Sequence, residues 1–229
     1  MDLYACDYRL PMLGLTSSDA YVFNEIYGKE DAYQRARLLP LIKGGEVIEI
    51  GGHKGYFAML AATVAKRAVV FEPNDHNFHY LCRNIELNGF HHVTPVKKAV
   101  SNTPDPREFT VSDKTDARHS LYETGFSGCA RKIPVLCTTI ADIVIDYSMF
   151  NISLLKIDCE GGEYDILFNL EPGIAEYIPR VVCEIHEAPA IPHKKADLVD
   201  HMKSLGYNAE VYSGRRMGDM DLWMAWFSR

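Results

Sequence analysis

Acidic, basic and glycine residues fall in three stretches of this chain where their types and spacing could do chemistry. The first is Glu49-Ile50-Gly51-Gly52-His53-Lys54-Gly55. Glycines between a strand and a helix let the backbone approach a bound ligand closely, because no Cβ intervenes. The amide groups that open a helix also favour a carboxylate or phosphate. Gly51 and Gly55 are expected to make the turn, with Gly52 and His53 lining the approach. The second stretch ends at Glu72, 21 residues after Gly51. A carboxylate at the end of the next strand can accept both hydroxyls of a ribose. The third is Lys156-Ile157-Asp158-Cys159-Glu160-Gly161-Gly162-Glu163. Lys156 and Asp158 would sit at or inside a buried strand end and should pair there. Asp158 and Glu160 should face the crevice beyond the strands, whereas the field of a helix N-terminus accounts for Glu163. His186, in Cys183-Glu184-Ile185-His186-Glu187, ends a further strand and is suited to accept a proton near neutral pH. Asp158 is the competing base, or an oxygen ligand for Mg²⁺ together with Glu160 or Glu184. His91, His92 and His119 read as surface or loop residues.

These groups need elements to hold them, and the hydrophobic pattern supplies a set. From Gly44 onward, strand-like runs alternate with helical ones, which predicts parallel strands joined by crossover helices. Val47 to Ile50 reads as the first strand, followed by a helix after Gly55. Ala68 to Phe71 is the second strand, ending at Glu72, with a helix after Pro73 that stops at Gly89. Val93 to Val100 reads as a third strand, Ile152 to Ile157 as a fourth and Arg180 to Ile185 as a fifth. A helix after Pro192 stops at Gly206. Tyr207 to Tyr212 and Leu222 to Phe227 read as an antiparallel hairpin joined by a turn over 213–221. The pattern loosens between Arg107 and Ile133, which marks 106–133 as a substrate-facing loop or β insertion. Residues 1–43 read as an N-terminal helical appendage, with one or two helices between Asn24 and Leu39, and 44–229 as the main domain.

Composition bounds the partners. Of 229 residues, 47% are hydrophobic and 24% charged, the balance of a folded globular chain. The net charge of -7 disfavours a dedicated nucleic-acid binder, which needs excess Lys and Arg to displace counterions. The pairs Lys97-Lys98, Arg131-Lys132, Lys194-Lys195 and Arg215-Arg216 read as solvated surface. Six cysteines (Cys6, Cys82, Cys129, Cys137, Cys159, Cys183) show no metal-site spacing, and a reducing, cytoplasmic setting without a membrane span is the expectation. Oligomeric state is left open.

A further glycine at His53 would complete the dinucleotide fingerprint, so an NAD enzyme is disfavoured. The pattern E-x-G-x-x-x-G, with a strand before it, a helix after it and Glu72 at the next strand end, matches the S-adenosylmethionine (SAM) turn of class I methyltransferases. Together with Val70-Phe71-Glu72-Pro73-Asn74, Ala99-Val100-Ser101 and the Lys156–Glu163 block, it makes residues 45 to 188 resemble the FkbM family of methyltransferases. Glu49-Ile50-Gly51-Gly52 departs from that family's commoner Asp and Gly-Ala. The resemblance implies an α/β Rossmann-like fold: a mostly parallel sheet of about seven strands with the C-terminal antiparallel hairpin, flanked by helices. It also implies SAM as donor and methyl transfer, usually to oxygen, on a small-molecule or sugar acceptor. In that reading Glu49 and Gly51 take the methionine end, Gly52, His53 and Gly55 complete the cofactor-binding turn, Glu72 takes the ribose, and Ala99 and Val100 rim the adenine. Asp158 also counts among the cofactor-binding residues, and Lys156, Asp158 and His186 are the candidate catalytic groups. An RNA or protein methyltransferase and a SAM-binding module without activity are the alternatives.

Overall fold

The computed structural model describes residues 4–5, 8–16, 19–112, 119–121 and 130–229. Cys6, Cys129 and most of the loosely patterned 113–129 segment lie outside the described residues. The chain opens with a short antiparallel pair, β1 (Tyr4–Ala5) and β2 (Tyr8–Arg9), and two helices, α1 (Asp19–Tyr27) and α2 (Arg35–Ile42). A repeating unit follows: β3 (Glu46–Ile50), α3 (Tyr56–Ala62), β4 (Arg67–Phe71), α4 (Asp75–Leu87) and β5 (Val93–Val96). Next come β6 (Ala99–Val100), β7 (Arg107–Ser112), β8 (His119–Ser120), β9 (Ala130–Val135), β10 (Cys137–Thr138) and α5 (Ile140–Asp146). The chain closes with β11 (Ile152–Ile157), α6 (Glu163–Phe168), α7 (Pro172–Ala175), β12 (Arg180–Glu187), α8 (Lys195–Ser204), β13 (Asn208–Met217) and β14 (Met220–Ser228).

The main sheet has seven strands in the order β13-β14-β12-β11-β3-β4-β5. β14 runs antiparallel to both its neighbours, and the other pairings are parallel. The chain builds outward from β3 to β5 and then returns to lay β11 on the other side of β3. That reversal opens a crevice between the carboxyl ends of β3 and β11, where open α/β sheets bind ligands.

Both faces of the sheet are covered, and the period-two alternation of the strands shows it. Ile48, Ile50, Val69, Val181 and Cys183 belong to one buried core with α5, α6, α7 and α8. Val47, Val70, Leu154 and Val182 belong to another, together with α3, α4 and the N-terminal helices. All seven residues of α3 are buried because Leu10, Met12, Ile26, Tyr27, Leu38 and Ile42 pack in the same core. The N-terminal segment therefore forms the outer layer over α3.

Local chemistry sets the element ends. Asn74 caps α4, its side chain accepting from the amides of His76 and Asn77. Thr139 and Asp142 form a capping box for α5, a helix that the hydrophobic pattern does not announce. The strand expected over 93–100 is two: the Lys98 amide turns back to the Val96 carbonyl, and β6 leaves the main sheet to pair with β10. The C-terminal hairpin is longer than expected. Its strands run to Met217 and from Met220, because Gly218 at φ 63° permits a tight turn. Arg215 and Arg216 thus lie in a strand. Among the described residues no helix is long and apolar enough to cross a membrane.

Candidate active site

The glycine turn follows β3 as the spacing predicts. Gly51 adopts φ 82°, and a Cβ there would lie 1.7 Å from the Asp158 carbonyl oxygen. A residue with a side chain would force β3 and β11 apart, so this position needs glycine for packing as well as for its dihedral. Gly52 faces Val70, and Gly55, at φ 95°, enters α3. His53 takes a left-handed conformation at φ 48° and donates its backbone N–H to Glu72 Oε2 at 2.8 Å. The other oxygen, Oε1, accepts from the Asn74 amide at 2.8 Å. Glu72 is thus locked by backbone donors on both sides, and burial pushes its carboxyl up to about 7 against their pull.

A cavity of about 480 Å³ opens beyond this turn. Gly51, His53, Glu72, Lys98, Ala99 and Val100 line one end. Asp158, Glu160, Glu184, His186, Glu25 and Arg215 line the other. Glu49, Gly52, Gly55 and Lys156, expected at the ligand, are not among the lining residues and form the layer behind it. The register explains their place. Lys156 on β11 lies directly beside Glu49 on β3, and both side chains are buried. The Lys156 ammonium donates to the Gly51 carbonyl at 3.1 Å and to Glu49 Oε1 at 3.4 Å, with Asp158 Oδ2 at 3.6 Å. Burial disfavours that charge, but Asp158 and Glu49 raise the lysine above its ordinary value, so it stays protonated and holds turn and acid together. Burial likewise pushes Glu49 up to about 7 despite Lys156.

Asp158 receives Tyr33 Oη at 3.3 Å. Burial disfavours its charge, yet Lys156 and then His186 keep its carboxyl below the usual value. His186 is fully enclosed. Its backbone amide donates to Glu163 Oε1 at 2.6 Å, and its ring Nδ1 lies 3.2 Å from the same oxygen. Glu163 Oε2 accepts from the Gly161 amide at 2.9 Å. Glu163 is therefore a buried partner of His186 as well as a helix-start acid. Burial opposes charge on the imidazole, but Glu163 and Glu160 hold its pKa well above the usual histidine value. Glu184 is pushed well above the carboxylate range by burial and by Asp158 and Glu25 beside it. The backbone of Glu160 is left-handed at φ 53°, a costly conformation for a non-glycine residue that tends to occur at working sites.

Several lining residues carried no functional expectation. Arg215, read as solvated surface, bridges Glu25 on α1 at 2.8 Å and Glu184 on β12 at 3.0 Å. His119, read as surface or loop, lines the cavity beside Phe109 and Leu121. It is carried there by the three-stranded antiparallel sheet β8-β7-β9. Arg107 ties that sheet to Asp165 of α6 at 2.8 Å, and Ser120 Oγ donates to the Glu160 carbonyl at 2.5 Å. At the turn itself, buried Lys54 donates to Asp19 Oδ2 and to the Gly14 carbonyl, each at 2.8 Å. No local pattern announces these contacts, since each joins residues far apart in the chain. Cys82, Cys137, Cys159 and Cys183 are free thiols.

Three solved structures share this architecture. They are an rRNA methylase from Streptococcus thermophilus (TM-score 0.55, 9% identity, 86% of this chain and 94% of that one), M. capricolum TrmK in complex with S-adenosylhomocysteine (0.53, 14%, 86% and 67%), and a precorrin-6y C5,15-methyltransferase from Geobacter metallireducens GS-15 (0.51, 12%, 88% and 89%). At these identities the likeness is one of fold, that of class I methyltransferases. Among curated proteins none matches the chain in sequence. A profile of the methyltransferase FkbM domain matches residues 49–209, a span that holds the glycine turn, Glu72, the Lys156–Glu163 block and His186. The chain belongs to the FkbM family of methyltransferases.

Proposed function

We propose that the protein transfers the methyl group of SAM to a hydroxyl oxygen of a small acceptor such as a sugar. The observation that carries this reading is a single cavity with two chemically different ends. Gly51, His53, Glu72, Ala99 and Val100 form the donor end, with Glu72 for the ribose and Ala99-Val100 beside the adenine. Glu49, Gly52, Gly55 and Lys156 support them from behind. Asp158 stands at the junction, and the acceptor end beyond it is acidic. Carboxylates there suit hydroxyl donors and repel phosphodiesters, which speaks against RNA. The volume is that of a pocket for a small molecule.

In the reaction the S–CH₃ bond breaks as the O–CH₃ bond forms in line, and sulfur keeps the electron pair. The hydroxyl proton passes to a carboxylate at the acceptor end, Asp158 or Glu160. Alignment of donor and acceptor supplies most of the rate, and their shared cavity serves it. The test is calorimetric titration with SAM, S-adenosylhomocysteine and NAD, followed by radiolabelled methyl transfer to pools of sugars, hydroxylated metabolites, proteins and RNA. SAM binding with label entering a hydroxylated small molecule is expected. Binding of NAD alone would overturn the donor, and label entering only RNA or protein would overturn the acceptor.

A further inference from the structure

At the acceptor end, Asp158, Glu184 and His186 each bring one ligand-type atom within 4.8 Å of the other two. This is more than an acidic patch, because the histidine is aimed. Glu163 accepts from its Nδ1 and is itself held by the amides of His186 and Gly161. With Nδ1 committed, Nε2 points into the cluster, where the nearest carboxylate oxygens, on Glu160 and Glu184, stand 3.7 Å away. That is beyond hydrogen-bond reach. A buried imidazole backed by a carboxylate on one nitrogen and facing acids with the other is how proteins orient histidine toward a metal.

Charge gives a second and independent argument. The Asp158 and Glu184 carboxyl groups, one just past β11 and one on β12, bring their ligand oxygens within 4.8 Å of each other, a spacing that a shared cation would bridge. Glu25 and Glu160 line the same floor with Glu49 and Glu163 just behind it, so acids outnumber Lys156, Arg215 and His186, the basic side chains paired with them. Ser120 holds the Glu160 carbonyl, and Arg107 ties the β8-β7-β9 sheet to Asp165 of α6.

We propose that Asp158, Glu184 and His186 bind a divalent cation at the acceptor end, with Glu163 as the positioning residue behind His186. One nitrogen and two carboxylate oxygens suit Mn²⁺ or Zn²⁺ better than the all-oxygen preference of Mg²⁺. Glu160, which sequence reasoning offered as a ligand, stands outside the trio. Three protein ligands leave positions open toward the cavity for an acceptor oxygen. The role of the ion rests on the methyl-transfer reading: it would polarise the acceptor hydroxyl and ease loss of its proton. His186 then serves as ligand, and Glu160 is left to take that proton.

The experiment uses the full chain, stripped with chelator and titrated with Mn²⁺ while free Mn²⁺ is read by electron paramagnetic resonance. SAM calorimetry is run on the same preparation, and circular dichroism verifies the fold of every variant. The expected result is about one Mn²⁺ per chain, displaced by Zn²⁺. Glu184→Gln and His186→Asn should each weaken Mn²⁺ about tenfold or more, and Glu163→Gln about 10- to 100-fold with recovery in Glu163→Asp. Glu160→Gln should keep its Mn²⁺. Folded wild-type protein that takes up neither ion, or uptake unchanged in both Glu184→Gln and His186→Asn, overturns the site. SAM binding without ion uptake removes the ion and leaves methyl transfer standing. Ion uptake without SAM binding does the reverse.

Discussion

Glu72 shows how much the environment of one carboxylate decides. Its place at the end of β4 was readable from its distance to Gly51, but its burial and its two backbone donors were not. Those donors fix the carboxylate's orientation, while burial raises its pKa to about 7. Lys156 pulls that value down and Glu49 pushes it up, both from behind the turn. In the proposed reading Glu72 accepts two ribose hydroxyls and must be ionised to do so, so SAM binding would expel the proton. Linkage then makes affinity fall as pH drops below about 7, approaching about tenfold per pH unit, and level off above it. Calorimetry between about pH 5.5 and about pH 8.5 checks this. Glu72→Gln should bind SAM weakly and lose that pH dependence while keeping the wild-type circular dichroism spectrum. An unaltered pH profile in Glu72→Gln would mean that another group carries the proton.

At the scale of elements, the glycine turn is held from both sides. Lys156 ties it to β11 and Lys54 ties it to the start of α1 through Asp19. The Lys54–Asp19 pair is almost wholly buried. Burial disfavours the Asp19 charge, but the Lys54 and Thr16 hydrogen bonds hold its carboxyl below the ordinary value. A depressed carboxylate pKa contributes stability that is present above the unfolded value and lost as pH falls through the folded one. Asp19→Ala strands a buried ammonium and should cost about 3–5 kcal/mol, whereas Asp19→Ala with Lys54→Met should cost distinctly less. Urea unfolding of the two variants measures the difference. Equal losses would show that the pair contributes only packing. The E-x-G-x-x-x-G pattern made the turn legible because its residues are neighbours in sequence. The bracing by Asp19 was not, since a lysine inside a loop pattern says nothing about a partner 35 residues earlier.

For the whole molecule, the N-terminal segment is the least legible part and one of the more consequential. Its buried residues pack on α3, and Tyr21, Val22 and Glu25 line the cavity. Removing residues 1–43 would expose apolar surface along α3 at about 25 cal/mol per Å². The shortened chain is expected to lose near-ultraviolet circular dichroism and to bind a dye for exposed hydrophobic surface, while full-length protein does neither. A cooperative, dye-free shortened chain would make the segment an accessory. The sequence alone determined the alternation of strands and helices, the glycine turn, Glu72 and the Lys156–Glu163 block. Each of those depends on hydrophobic period or on residues close together along the chain. The tertiary structure alone decided that Glu163 backs His186, that Arg215 and Glu25 meet over Glu184, and that His186 rather than Glu160 joins Asp158 and Glu184 in one cluster. These groups come from separate elements, and only the parallel register of β3, β11 and β12 and the reversal of the sheet beside β3 bring them together.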